Sequence, residues 1–83
     1  MDQTAIERRI SEFVTERFLY GERVPARTES LLEAGVLDSM TLVQLVAFIE
    51  ESLGIKLGRG DLVLERFDTI AGMGAWLAAR AAS

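Results

Sequence analysis

Gly35-Val36-Leu37-Asp38-Ser39-Met40 runs directly into an apolar-periodic stretch, Thr41 to Leu53. Leu42, Leu45, Val46, Ile49 and Leu53 recur there at helical spacing, the signature of one buried face. Asp38 or Ser39 caps such a helix, because either side-chain oxygen accepts from the first free backbone N–H groups. Gly54 followed by Ile55 predicts a Schellman ending, with the apolar residue folding back over the last turn. The stretch therefore predicts a helix over 39–53 with one serine hydroxyl at its positive end. A serine placed there is exposed beside unpaired N–H groups and suits an attached phosphate. Met40, Val43 and Ala47 lie off the main stripe, so this helix is apolar around more of its circumference than burial requires.

Upstream, residues 4–20 predict another helix. Thr4 and Glu7 have capping-box spacing, and Ile6, Ile10, Phe13, Val14 and Phe18 form one stripe. Glu7, Glu12 and Glu16 read as a solvated face open to weak pairing with nearby arginines, and Gly21 stands where a helix C-terminal glycine belongs. The 21–38 connection contains the only proline, Pro25, and is long for so small a domain. Leu31, Leu32, Val36 and Leu37 are its expected pins, with a short helical turn near Leu31 to Ala34. Downstream, Gly58-Arg59-Gly60 reads as a flexible break, and Asp61 as the cap of a short helical segment from Leu62 to Arg66. Asp68 or Thr69 caps a last helix to about Ala81, with Ile70, Met73 and Leu77 inward and Trp76 at the core or its rim. No two-residue alternation is long enough for a sheet, so the fold class is all-α: three main helices, one short helix and a long first loop.

Composition narrows the chemistry. The 83 residues form one small domain with 49% hydrophobic content and a net charge of −4. The nine basic residues form no run, which disfavours nucleic acid and an anionic membrane surface as partners. No apolar stretch has membrane length, and the N-terminus lacks signal-peptide character, so a cytoplasmic monomer is the expectation. The chain has no Cys and no His. Thiolate chemistry, cysteine metal sites and the commonest general base are thereby removed. This points to a serine that is modified and carried rather than one that attacks a substrate.

The order of elements, with Leu37-Asp38-Ser39-Met40 opening the second helix, resembles the acyl and peptidyl carrier protein family. The likeness extends over Leu31-Leu32-Glu33-Ala34-Gly35-Val36-Leu37, Glu50-Glu51-Ser52-Leu53-Gly54-Ile55 and Phe67-Asp68-Thr69-Ile70. It implies a four-helix carrier bundle whose Ser39 receives 4′-phosphopantetheine from coenzyme A through a phosphopantetheinyl transferase. The arm's thiol would then hold an acyl or aminoacyl group as a thioester. An activating ligase and downstream acyl-transfer or tailoring enzymes are the implied partners. The resemblance also implies that Asp38 holds Mg²⁺ or meets basic side chains of the transferase. It assigns Asp38, Met40, Thr41, Val43, Gln44 and Ala47 to a partner-facing surface; for Met40, Val43 and Ala47 the rival reading is extended core beneath the loop. Thr41 and Gln44 stand where fatty-acid-type carriers usually bear acids. The motif, lacking Gly-Gly or Gly-His before Asp-Ser, is closer to stand-alone aminoacyl carriers, including D-alanyl carrier proteins. Two readings of other classes remain: a helical interaction module whose Asp-Ser is only a cap, and a hydrolase using Ser39 with a carboxylate or Lys56, the only lysine, as base.

Overall fold

The computed structural model describes residues 1–82. Three helices carry the fold: α1, Gln3–Arg17; α2, Ser39–Ser52; and α3, Ile70–Ala82. Two short 3₁₀ turns, Arg59–Asp61 and Leu64–Phe67, lie between α2 and α3, and no strand occurs among the described residues. The all-α expectation holds, with the expected short helix replaced by this pair of turns.

The core is built from the predicted stripes. Ile6, Ile10 and Val14 of α1 are buried with Leu42, Leu45 and Ile49 of α2 and Ile70, Met73 and Leu77 of α3. Phe67, on the second turn, is wholly buried and closes this core. Phe13 and Phe18 are only half-buried. Phe13 stacks on Phe48 at 4.3 Å between centroids and meets Phe18 edge-on at 5.3 Å, so aromatic contacts seal the α1–α2 seam.

Several local assignments differ from the sequence reading. Asp2, not Thr4, caps α1, its carboxylate accepting from Ala5 N–H at 2.8 Å. Glu7 is not solvated. It accepts from Gln3 at 2.9 Å and takes the Arg27 guanidinium in two bonds of 2.8 and 2.9 Å, fastening α1 to the first loop. The helix stops at Arg17 rather than at residue 20, because Tyr20 and Gly21 both adopt left-handed backbone, with φ of 54° and 74°. A helical turn cannot continue through such a pair; Gly21 N–H instead bonds back to Thr15 C=O at 2.8 Å.

The first loop is ordered by its pins, as expected. Leu31, Val36 and Leu37 are buried and Leu32 half-buried. The Leu31 C=O accepts from both Val36 and Leu37 N–H, at 2.9 and 3.0 Å, and Gly35 at φ 74° turns the chain between them. Asp68 holds the loop from the far side. Its carboxylate accepts from the Ser30 hydroxyl at 2.8 Å and from Leu32 N–H at 3.0 Å, and its C=O accepts from Leu31 N–H at 2.8 Å. That leaves Thr69 to cap α3, its Oγ1 accepting from Gly72 N–H at 2.9 Å.

The α2 terminus matches its predicted ending. Gly54 has φ 68°, Ile55 N–H reaches back to Ile49 C=O, and Ile55 is buried. Beyond it, Gly58-Arg59-Gly60 is not a loose break but enters the first 3₁₀ turn, and Asp61 caps no helix. Its carboxylate accepts from Gly58 N–H at 2.8 Å and from Arg80 at 2.6 and 2.8 Å. Leu62 and Val63 consequently fall outside either turn.

Candidate functional site

The N-terminus of α2 is assembled by its own sequence. Asp38, in extended backbone, accepts through Oδ1 from Met40 and Thr41 N–H, both at 2.9 Å. Thr41 completes the reciprocal box, its Oγ1 accepting from Asp38 N–H at 2.9 Å and donating to Val36 C=O at 3.1 Å. Bonds from Thr41 N–H first, then Met40 N–H, hold the Asp38 carboxyl below the usual carboxylate range. Thr41 therefore belongs to the cap and is half-buried, while Asp38, Ser39 and Met40 are exposed.

This corrects one detail of the sequence reading. The first N–H groups of α2 are not left open around Ser39, because Asp38 occupies two of them. What remains is an exposed hydroxyl at the positive end of the helix, with no hydrogen-bond partner among the described residues. A phosphodiester fits there: it needs free solvent access on the hydroxyl side and gains from the nearby dipole, not from a closed cradle.

The outer face of α2 is apolar and uncharged near this point. Met40 is 76% exposed and Val43 68%, so both point to solvent rather than into core beneath the loop. Gln44 is exposed, and Ala47 is half-buried beside the Phe13–Phe48 stack. A groove of about 310 Å³ between α1 and α2 is lined by Gln44, Ala47, Phe48 and Arg17 among others. Arg17 and Tyr20, which the sequence reading did not single out, flank a second hollow that reaches Asp38, Thr41 and Gln44. The Tyr20-Gly21 pair is the one sequence signal for it, as a turn placed after the α1 stripe.

The remaining residues of chemical interest do not converge on Ser39. Lys56 lies beyond the far end of α2, which at helical rise is about 20 Å long, so it cannot serve Ser39 as a base. No group of His, Cys, Asp or Glu able to hold a metal ion occurs among the described residues. No described helix is long and apolar enough to cross a membrane.

The geometry is thus a three-helix bundle that displays an exposed serine at the start of its second helix. In comparison of the sequence with protein families, the model for the phosphopantetheine attachment site matches residues 17–77. The chain belongs to that family, whose members bind 4′-phosphopantetheine covalently. No curated protein matches the chain significantly.

Proposed function

We propose that Ser39 is the attachment residue and that residues 1–83 act as one carrier domain, holding an acyl or aminoacyl group as a thioester. The observation that carries the assignment is the contrast among the three serines inside the matched region. Ser30 is half-buried and donates to Asp68. Ser52 is exposed but ends α2, where the helix dipole opposes an added negative charge. Ser39 is exposed, without a hydrogen-bond partner among the described residues, and at the favourable end.

In the modification, Ser39 Oγ attacks the pantetheine-side phosphorus of coenzyme A. A phosphodiester forms, adenosine 3′,5′-bisphosphate leaves, and the hydroxyl proton passes to the transferase's base. Asp38 keeps the helix end ordered through Oδ1, while its second oxygen faces solvent for the transferase's cation or basic side chains. Met40, Val43, Gln44 and Ala47 form the surface on which the transferase, an activating ligase and downstream acyl-transfer enzymes dock. The attached arm supplies the thiol that this cysteine-free chain lacks, and tethering raises the cargo's effective concentration at each docked enzyme. The partner enzymes perform the bond chemistry. An aminoacyl cargo, in secondary metabolism or amino-acid activation within the cytoplasm, accords with the neutral Thr41 and Gln44.

Incubation with coenzyme A and a broad-specificity phosphopantetheinyl transferase tests the proposal by intact mass. The expected result is a gain of one phosphopantetheine, mapped by peptide fragmentation to Ser39 and absent from Ser39→Ala. A folded chain that gains nothing, or a Ser39→Ala protein that is still modified, refutes it.

A further inference from the structure

Between α2 and the buried Phe67 runs a strap, residues 56–66, with few ties to the rest of the molecule. Its backbone-to-backbone hydrogen bonds are internal (Asp61 N–H to Gly58 C=O, Leu62 N–H to Arg59 C=O, Val63 N–H to Asp61 C=O, and Arg66 N–H to Val63 C=O), save that Glu65 C=O accepts from Asp68 N–H at the downstream edge. Among the described residues no backbone-to-backbone bond joins residues 56–64 to α2 or α3. Its apolar side chains anchor it weakly, since Leu57 and Leu64 are half-buried and Leu62 and Val63 are each 44% exposed.

Side chains do the fastening. Glu50 on α2 accepts from Leu57 N–H at 3.0 Å. The principal tie is Asp61, which takes Gly58 N–H from within the strap and two bonds from Arg80 on α3. Arg80 also donates to Lys56 C=O at 3.2 Å, so one guanidinium grips the strap at two points. The Arg66 and Arg80 guanidinium carbons lie 5.0 and 5.4 Å from the Trp76 ring centroid, and Phe67 meets the same ring edge-on.

We propose that the Asp61–Arg80 pair is a latch, and that its release lets residues 56–64 swing away from α3 as a unit while Phe67 and the three helices stay packed. An ion pair near the surface is weak and salt-sensitive. A segment with no backbone ladder to its neighbours and little buried apolar area opens at low free energy. Gly58 and Gly60 supply backbone freedom at the upstream end, and the wholly buried Phe67 fixes the downstream one. The second 3₁₀ turn, which touches both α2 and α3, is held in place by Phe67. The latch thus lets this connection open without unfolding a helix. This inference does not depend on what Ser39 carries.

Native-state amide exchange on the unmodified chain tests it with Asp61→Asn, which keeps an acceptor for Gly58 N–H but removes the charge that Arg80 grips. Amides of Leu57, Gly58 and Asp61 to Val63 are expected to exchange roughly tenfold faster than in the wild type, with Leu45, Ile49 and Met73 unchanged. The fluorescence of Trp76, the only tryptophan, is expected to shift with them. Unchanged strap amides overturn the latch. So does equal acceleration at every site, which would mean global loosening. Should the variant fold poorly, the wild-type chain taken from about 0.1 to about 1 M NaCl gives the same reading. Strap amides should then accelerate selectively, and indifference to salt refutes the proposal.

Discussion

Asp38 shows how one carboxylate can order a helix end and leave its neighbour untouched. Because Oδ1 alone receives both Met40 and Thr41 N–H, Asp38→Asn should preserve the cap, whereas Asp38→Ala should remove it. Amide exchange at Met40 and Thr41 is expected to quicken in the alanine variant and hold in the asparagine one. If Asp38 also serves the transferase through charge, modification of Ser39 slows in both variants, and an unaffected rate in Asp38→Asn would remove that role. This cap was legible in the sequence because every partner lies within three residues. The sequence takes Asp61 for a cap and cannot choose between Asp68 and Thr69 for the opposite reason: Asp61 and Asp68 bond to Arg80 and Ser30, 19 and 38 positions away, beyond the reach of any local pattern. Ser39 itself could be singled out from its position before a periodic run. Its lack of a partner, which distinguishes it from Ser30, could not.

Among the elements, periodicity located all three helices, and the errors gathered at their ends and in the strap. The 3₁₀ turns carry no repeat long enough to read, and the α1 stripe runs on through the C-cap Phe18, so it does not mark the stop before the left-handed Tyr20–Gly21 turn. Gly74 of α3 makes a sharper point. Helix propensity alone gives Gly74→Ala a gain of about 1 kcal/mol. The structure reverses that expectation, since an added Cβ would collide with the Glu7 side chain, which is held by Arg27. Gly74→Ala should therefore lower the thermal midpoint, and a higher midpoint would show that Glu7 yields without cost. Phe67, the sole wholly buried aromatic side chain of the described core, should cost about 3–5 kcal/mol on truncation to alanine, read by denaturant unfolding.

For the molecule as a whole, four carboxyls set its response to acid. Glu7, Glu29, Asp38 and Asp61 are all held below their ordinary values: Glu7 by Arg27, Glu29 by Arg23, Asp61 by Arg80, and Asp38 by the α2 amides. The unfolded chain therefore binds more protons than the folded one in the acid range, and stability rises with pH there. Their contribution is complete above the ordinary carboxyl range, about pH 4–5, and is lost as pH falls through the depressed folded values. The thermal midpoint should be flat from about pH 7 to 5 and decline below about pH 4. A midpoint that climbs on acidification would mean that relief of the −4 net charge outweighs these four groups.

The ties from Asp68 and Ala71 back to Leu31, Leu32 and Arg27 carry a consequence for biogenesis. During synthesis, the segment that steers the polypeptide toward Ser39 gains these ties only once residues 68–71 have emerged. An enzyme that reads the finished shape must wait for them, whereas one that reads only the local tetrapeptide need not.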